Sequence, residues 1–215
     1  MLTLTRLDLN PQHAEVQRDL GDCHRLHRRL LACVADAAKA AAEDARVLYR
    51  VEGTTILVQT PGIPDWSVLP LRYVGAEPSW KRVDDRYRLV AAGMRYQFRL
   101  RANPTKRVVD RGGKWEKHRV QLRTLAELYN WIDRQAANHG FRLDGAPEDA
   151  VRLVRHGHAI GRHDQGRLTF ESVTFDGRLV VTDAARIAAA LRHGIGSGKG
   201  FGHGLLSLAP VSHAS

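Results

Sequence analysis

The chain has 215 residues, enough for one large or two small domains, each with its own core. Its 33 Lys and Arg against 23 Asp and Glu leave a formal charge of +10, and 11 histidines can add to it below neutral pH, so a negatively charged partner is expected. Cys23 and Cys33 offer neither metal-ligand spacing nor a disulfide framework, MLTLTRLDLN has no export signal, and no apolar run reaches about 18 residues; a cytoplasmic protein with no membrane association is expected.

In chain order, LTLTRLDL alternates as a half-buried strand does. Asp22 can cap a first helix to about Ala42, with Leu26, Leu30, Val34 and Ala38 as its apolar stripe. Strands follow over 46–52 and 55–60 around a turn at Gly53. Pro61, Pro64, Pro70 and Pro78 make any second helix short or irregular, and a strand is expected near Tyr87 to Ala91. From Tyr96 the pattern restarts: YQFRLRAN and KHRVQL as strands, a helix from Thr124 to His139, and a loop rich in Gly, His and Arg. LTFESVTF and GRLVVT then read as two strands, followed by a helix from Ala184 to His193, a glycine run and a closing strand. The order is that of an α+β chain of two tandem ferredoxin-like domains (βαββαβ, RRM-like), placed at residues 1–91 and 92–215.

Three stretches carry chemistry. In GIGSGKGFGHGLLSLAP glycine fills every second position from Gly194 to Gly204. It fits neither a P-loop nor a dinucleotide fingerprint, which argues against nucleotide hydrolysis, yet Gly196, Gly198 and Gly200 could lay backbone N–H groups on phosphate, with Lys199 adding charge. Residues 95–134 hold eleven Lys or Arg and four Asp or Glu. There FRLRANPTKR puts Arg99 and Arg101 on one strand face, and Lys106, Arg107, Arg111, Lys114 and Lys117 follow on a Gly112-Gly113 hairpin that could track RNA phosphates. In DCHRLHRRL, His24 and His27 share a helix surface beside Arg28 and Arg29. A histidine at the border of an apolar stripe can simply pack. Positive charge beside it is what a phosphodiester site needs. His156, His158 and His163 have no carboxylate or thiol at ligand spacing, so no metal or other cofactor is expected.

These stretches together, with DWSVL at 65–69 and FDGRLVVTD at 175–183, resemble the CRISPR repeat-processing endoribonucleases of the type I-E (Cascade) systems over essentially the whole chain. The resemblance implies two ferredoxin-like domains, binding of the CRISPR repeat RNA stem-loop, and metal-independent cleavage on the 3′ side of the stem. It implies a protein that keeps its processed RNA within a Cascade-type surveillance complex. In the family a first-helix histidine is catalytic, and the matching position is His27; members often carry a tyrosine three positions earlier, where this chain has His24. Two further readings stand beside it. One is a noncatalytic RNA-binding module in which His27 only packs; the other is an enzyme that holds a phosphate ligand in the glycine run.

Overall fold

The alternation at the N-terminus becomes β1 (Leu2–Asp8) in a computed structural model that describes residues 1–35, 45–109, 117–163 and 166–211. Two helices follow, α1 (Ala14–Leu20) and α2 (Cys23–Ala32), then β2 (Leu48–Glu52), β3 (Thr55–Pro61), β4 (Ser79–Arg82) and α3 (Asp84–Arg88). The strands make one antiparallel sheet in the order β2-β3-β1-β4, the ferredoxin-like order. Gly53 turns β2 into β3 with φ 63°, as its sequence position suggests.

Asp22 caps α2 as expected, its carboxylate accepting from the amides of His24 and Arg25. The helix nevertheless ends at Ala32 and not near Ala42. Cys33 closes it, and the Asp65 amide takes the Cys33 carbonyl at 2.8 Å, which draws the chain aside; positions 36–42 lie outside the described residues. α2 is also the second helix, because His13 caps the unforeseen α1 by accepting from the Glu15 amide. Charge fastens the two helices together. Asp19, buried on α1, accepts from Arg25 Nε at 3.2 Å, Arg29 Nε at 2.8 Å and the Tyr73 hydroxyl at 2.9 Å.

Between β3 and β4 the prolines leave only a 3-10 turn at Trp66–Val68. The strand expected near Tyr87 is instead helical α3. Its Asp84 and Asp85 begin the helix and Arg86 and Arg88 end it, an arrangement that suits the helix dipole, while the exposed segment Ser79–Arg82 supplies the pairing to β1.

The second unit runs β5 (Arg95–Ala102), the hairpin β6 (Thr105–Val109) and β7 (Lys117–Gln121), α4 (Leu125–Asn138), β8 (Phe141–Leu143), α5 (Pro147–Ala150), β9 (Val151–His163), β10 (Gly166–Val181), α6 (Ala184–His193) and β11 (Leu206–Pro210). Its sheet, β11-β5-β10-β8 with β9 also paired to β10, repeats the ferredoxin-like order. Two expectations fail here. The histidine- and glycine-rich segment taken for a loop is strand β9, and the two strands read around residue 177 are one, β10. Gly177 is no break: a Cβ there would stand 2.4 Å from the Ala150 carbonyl oxygen, so glycine admits close packing within a continuous strand.

A capping box between Thr124 and Glu127 starts α4, and Asp183 caps α6. One core joins Leu100, Trp131, Phe175 and Ile187 under α4 and α6; another joins Leu7, Val16, Leu26, Leu30 and Ile56 under α1 and α2. Each such large apolar side chain, fully buried, contributes about 1.5–3 kcal/mol. Among the described residues no helix is long and apolar enough to cross a membrane.

Candidate active site

Leu26 and Leu30 draw α2 onto the first core, which leaves His27 half-buried at the edge of that face. There the glycine run crosses it. Lys199–Phe201 form one 3-10 turn between Gly198 (φ 76°) and Gly202 (φ 83°), and the Phe201 N–H closes it on the Gly198 carbonyl at 2.8 Å. A Cβ on Gly200 would stand 3.2 Å from His27 Cε1 and 3.3 Å from Nε2, so the turn touches the imidazole with bare backbone. His24 and His27 both rest on Phe201, with ring centroids 6.3 and 5.7 Å from it, and Phe201 stacks on Phe170 at 4.9 Å.

His27 Nδ1 is enclosed with no hydrogen-bond partner. Burial first, and then the charge of His24, hold the imidazole below its ordinary pKa of 6.5. At neutral pH the ring is uncharged and able to accept a proton. Beneath the turn, buried His203 is pushed down to about 4 by burial and then by Arg101 nearby, against a smaller upward pull from the Gly198 backbone.

Much of the glycine run's openness is used inside the protein. A Cβ on Gly196 would meet Trp131 at 3.1 Å, and one on Gly202 would meet Tyr49 at 3.1 Å. Lys199 lies against Gly204, and partial burial with the Arg46 charge lowers its pKa.

The expected basic residues fall into three places. Arg28 is exposed in a shallow depression of about 300 Å³ with Arg25, Ala32 and Val68, whereas Arg29 is taken up by Asp19 at 2.8 Å and Glu15 at 2.7 Å. Arg99 and Arg101 turn away from Phe98 and Leu100 as the alternation requires, into a groove of about 370 Å³ that Arg50, Arg152 and His156 also line. Both have internal partners: Arg99 binds Asp176 at 2.6 Å and Glu52 at 3.1 Å, and Arg101 donates to the Ser172 hydroxyl at 2.5 Å and the Val51 carbonyl at 2.6 Å. The contacts to Glu52 and Val51 join the second sheet to the first.

On the hairpin Lys106 pairs with Glu127 at 2.9 Å, which together with the Arg123 and Thr124 amides brings that carboxyl down to about 2. Arg107 is exposed, and its register partner across the ladder is exposed Arg119. Two like charges directly opposite are unfavourable on their own, and a phosphate between them would reverse that. Sequence reasoning passed over Arg119 because pairing register leaves no mark in composition. Arg111 and Lys114, with the Gly112-Gly113 turn and the Lys117 side chain, lie outside the described residues.

His156 bonds through Nε2 to the Thr174 hydroxyl at 2.8 Å. Among the described residues no group of three His, Cys, Asp or Glu comes together to hold a metal ion. Cys23 and Cys33 are free thiols that burial pushes up to about 11, too high for a thiolate nucleophile at neutral pH. Sequence reasoning also missed Arg50, a buried cation that donates to the Leu205 carbonyl at 3.3 Å and the Ser207 hydroxyl at 2.9 Å across the two units.

Comparison with known proteins places the whole chain in a family. The family model described as "CRISPR associated protein" matches residues 2–210. The chain is 37% identical over 220 residues to the CRISPR-associated endoribonuclease Cse3 of Thermus thermophilus, covering 96% of this chain and 99% of that one. It is 34% identical over 125 residues to the CRISPR system Cascade subunit CasE of Escherichia coli, covering 55% of this chain and 60% of that one. Cse3 bound to a 19-nucleotide RNA superposes with a TM-score of 0.82 at 38% identity, over 97% of this chain and 98% of the other. Homology along nearly the full length, on a doubled ferredoxin-like frame, means that the chain belongs to the CRISPR-associated protein family, among the type I-E repeat-processing endoribonucleases.

Proposed function

We propose that this chain is a metal-independent endoribonuclease that binds the stem-loop of CRISPR repeat RNA and cuts on the 3′ side of the stem, with His27 as the base. The observation that carries the reading is the bare Gly200 backbone against the His27 imidazole. A neutral imidazole takes the proton of the ribose 2′-OH, which attacks the adjacent phosphorus. The 5′ oxygen leaves with a proton, and a 2′,3′-cyclic phosphate remains. Nε2 is the reacting nitrogen, because Nδ1 is enclosed. His24, on the same aromatic support, is the candidate for the second proton. General acid–base help of this kind contributes about 10² to 10⁴ in rate, and alignment of the 2′-OH much of the rest.

In this reading Arg28 and the Lys106, Arg107 and Arg119 side of the hairpin hold phosphates, and Arg99 and Arg101 add charge mainly as part of the junction between two domains meeting at residues 91 and 92. The protein works in the cytoplasm and serves as a subunit of a Cascade-type complex; the Cascade subunit CasE is a relative. Incubation of repeat RNA with the protein in EDTA tests the function. Cleavage in chelator, lost in His27→Ala and blocked by one 2′-deoxy sugar at the cut site, is expected. RNA bound but intact under every condition would make the chain a noncatalytic module.

A further inference from the structure

Tyr49 stands on β2, where alternation sends its side chain toward α2 and its neighbour Arg50 toward the opposite face. It is 1% exposed. Its ring is stacked beside the His27 imidazole at 6.5 Å with an interplanar angle of 20°, and it also supports the Gly202 backbone. Packing alone explains the ring, and phenylalanine would serve it equally well. The hydroxyl needs a separate reason.

That hydroxyl lies 3.2 Å from the Cys23 carbonyl oxygen and 3.2 Å from the Gly200 carbonyl oxygen. Neither acceptor is incidental. Cys23 is four residues before His27, so its carbonyl is the one the α-helical pattern pairs with the His27 N–H. Gly200 is the residue whose added Cβ would meet the His27 ring at 3.2 Å. One buried hydroxyl is thus shared between the backbone that carries the imidazole and the backbone that caps it. Its one hydrogen is divided between the two carbonyls, a three-centre bond that ties both to the same oxygen and so limits their separation and the space above His27.

We propose that Tyr49 is a positioning residue of the cleavage site, setting the distance between the His27 segment of α2 and the glycine turn. The inference rests on His27 acting as the base. Without the hydroxyl, the Gly200 carbonyl loses its tie to α2, the turn lifts, and water reaches a ring that is now kept below its ordinary pKa chiefly by burial.

The test is Tyr49→Phe, which keeps the ring, measured beside His27→Ala on repeat RNA under single-turnover conditions from pH 5 to 8. Tyr49→Phe is expected to cleave about tenfold more slowly, the loss that one net hydrogen bond supports. Its acid limb should move upward toward the ordinary histidine value, while affinity for RNA carrying a 2′-deoxy sugar at the cut site stays within about twofold. A Tyr49→Phe protein with unaltered rate and pH profile overturns the proposal. So does a rate loss that follows a fall in melting temperature with the acid limb unmoved, which is a structural role only. Cleavage that survives His27→Ala overturns the reading of His27 as the base, whatever Tyr49→Phe does.

Discussion

Gly200 faces the His27 ring so closely that a single methyl added to its α-carbon would stand 3.2 Å from Cε1. Gly200 itself sits inside the 3-10 turn, where an alanine backbone fits, so Gly200→Ala alters the contact and not the turn. The imidazole must shift by a few tenths of an ångström. Cleavage should fall about tenfold or more, since misplacement of a reacting group is costly, with stability nearly unchanged. Single-turnover rates and a melting curve check this together.

The pH profile has a definite sign. Burial and the His24 charge lower the His27 pKa, so the ring remains a base at pH values where an ordinary histidine is half protonated. The acid limb of the cleavage rate should therefore lie at lower pH than an ordinary histidine would give. His24→Ala removes the second cause and should move the acid limb upward, whatever it does to the plateau.

His203 governs acid stability. Its folded value of about 4 lies below the unfolded 6.5, so its contribution is complete above pH 6.5 and is lost as pH falls toward 4. The loss by pH 4 is about 3 kcal/mol. His203→Leu, which removes the buried titrating ring, should flatten that part of the curve. Urea unfolding at pH 7 and pH 4.5 gives the comparison.

Arg107 and Arg119 face one another on an exposed ladder and should share a phosphate. Arg119→Ala should weaken repeat RNA binding and reduce the slope of log K against log salt by about one, with little change in the bound cleavage rate. Titrations at several salt concentrations measure the slope. An unchanged slope would remove Arg119 from the interface.

Asp19 is buried beneath two guanidinium groups and a phenol. Asp19→Ala leaves Arg25 and Arg29, both partly exposed, still paired with Glu15 and strips the buried Tyr73 hydroxyl of its acceptor, so it should cost about 1–3 kcal/mol, the usual penalty for an unmet buried hydrogen bond. Chemical denaturation should show it in the midpoint.

Local pattern alone determined a good deal of this protein. The capping groups Asp22, Thr124 and Asp183, the alternation of β1 and β5, and the turn at Gly53 are short-range chemistry, and each stands where its neighbours in the chain require. Helical spacing put His24 and His27 on one surface beside Arg28, and the family resemblance, not the spacing, singled out His27. The tertiary structure decided the rest, because the missing information lies between residues far apart in the chain. Helix α2 stops at Ala32 because Asp65 captures the Cys33 carbonyl, and Gly177 fits inside β10 because Ala150 presses on it. Arg29, Arg99 and Arg101, cationic by type and open to RNA in the sequence, acquire carboxylate, carbonyl and hydroxyl partners only once distant strands and helices meet. The juxtaposition of His27, Tyr49 and Gly200 has the same origin: three segments spanning more than 150 positions converge on one carbonyl-lined contact, and only packing brings them there.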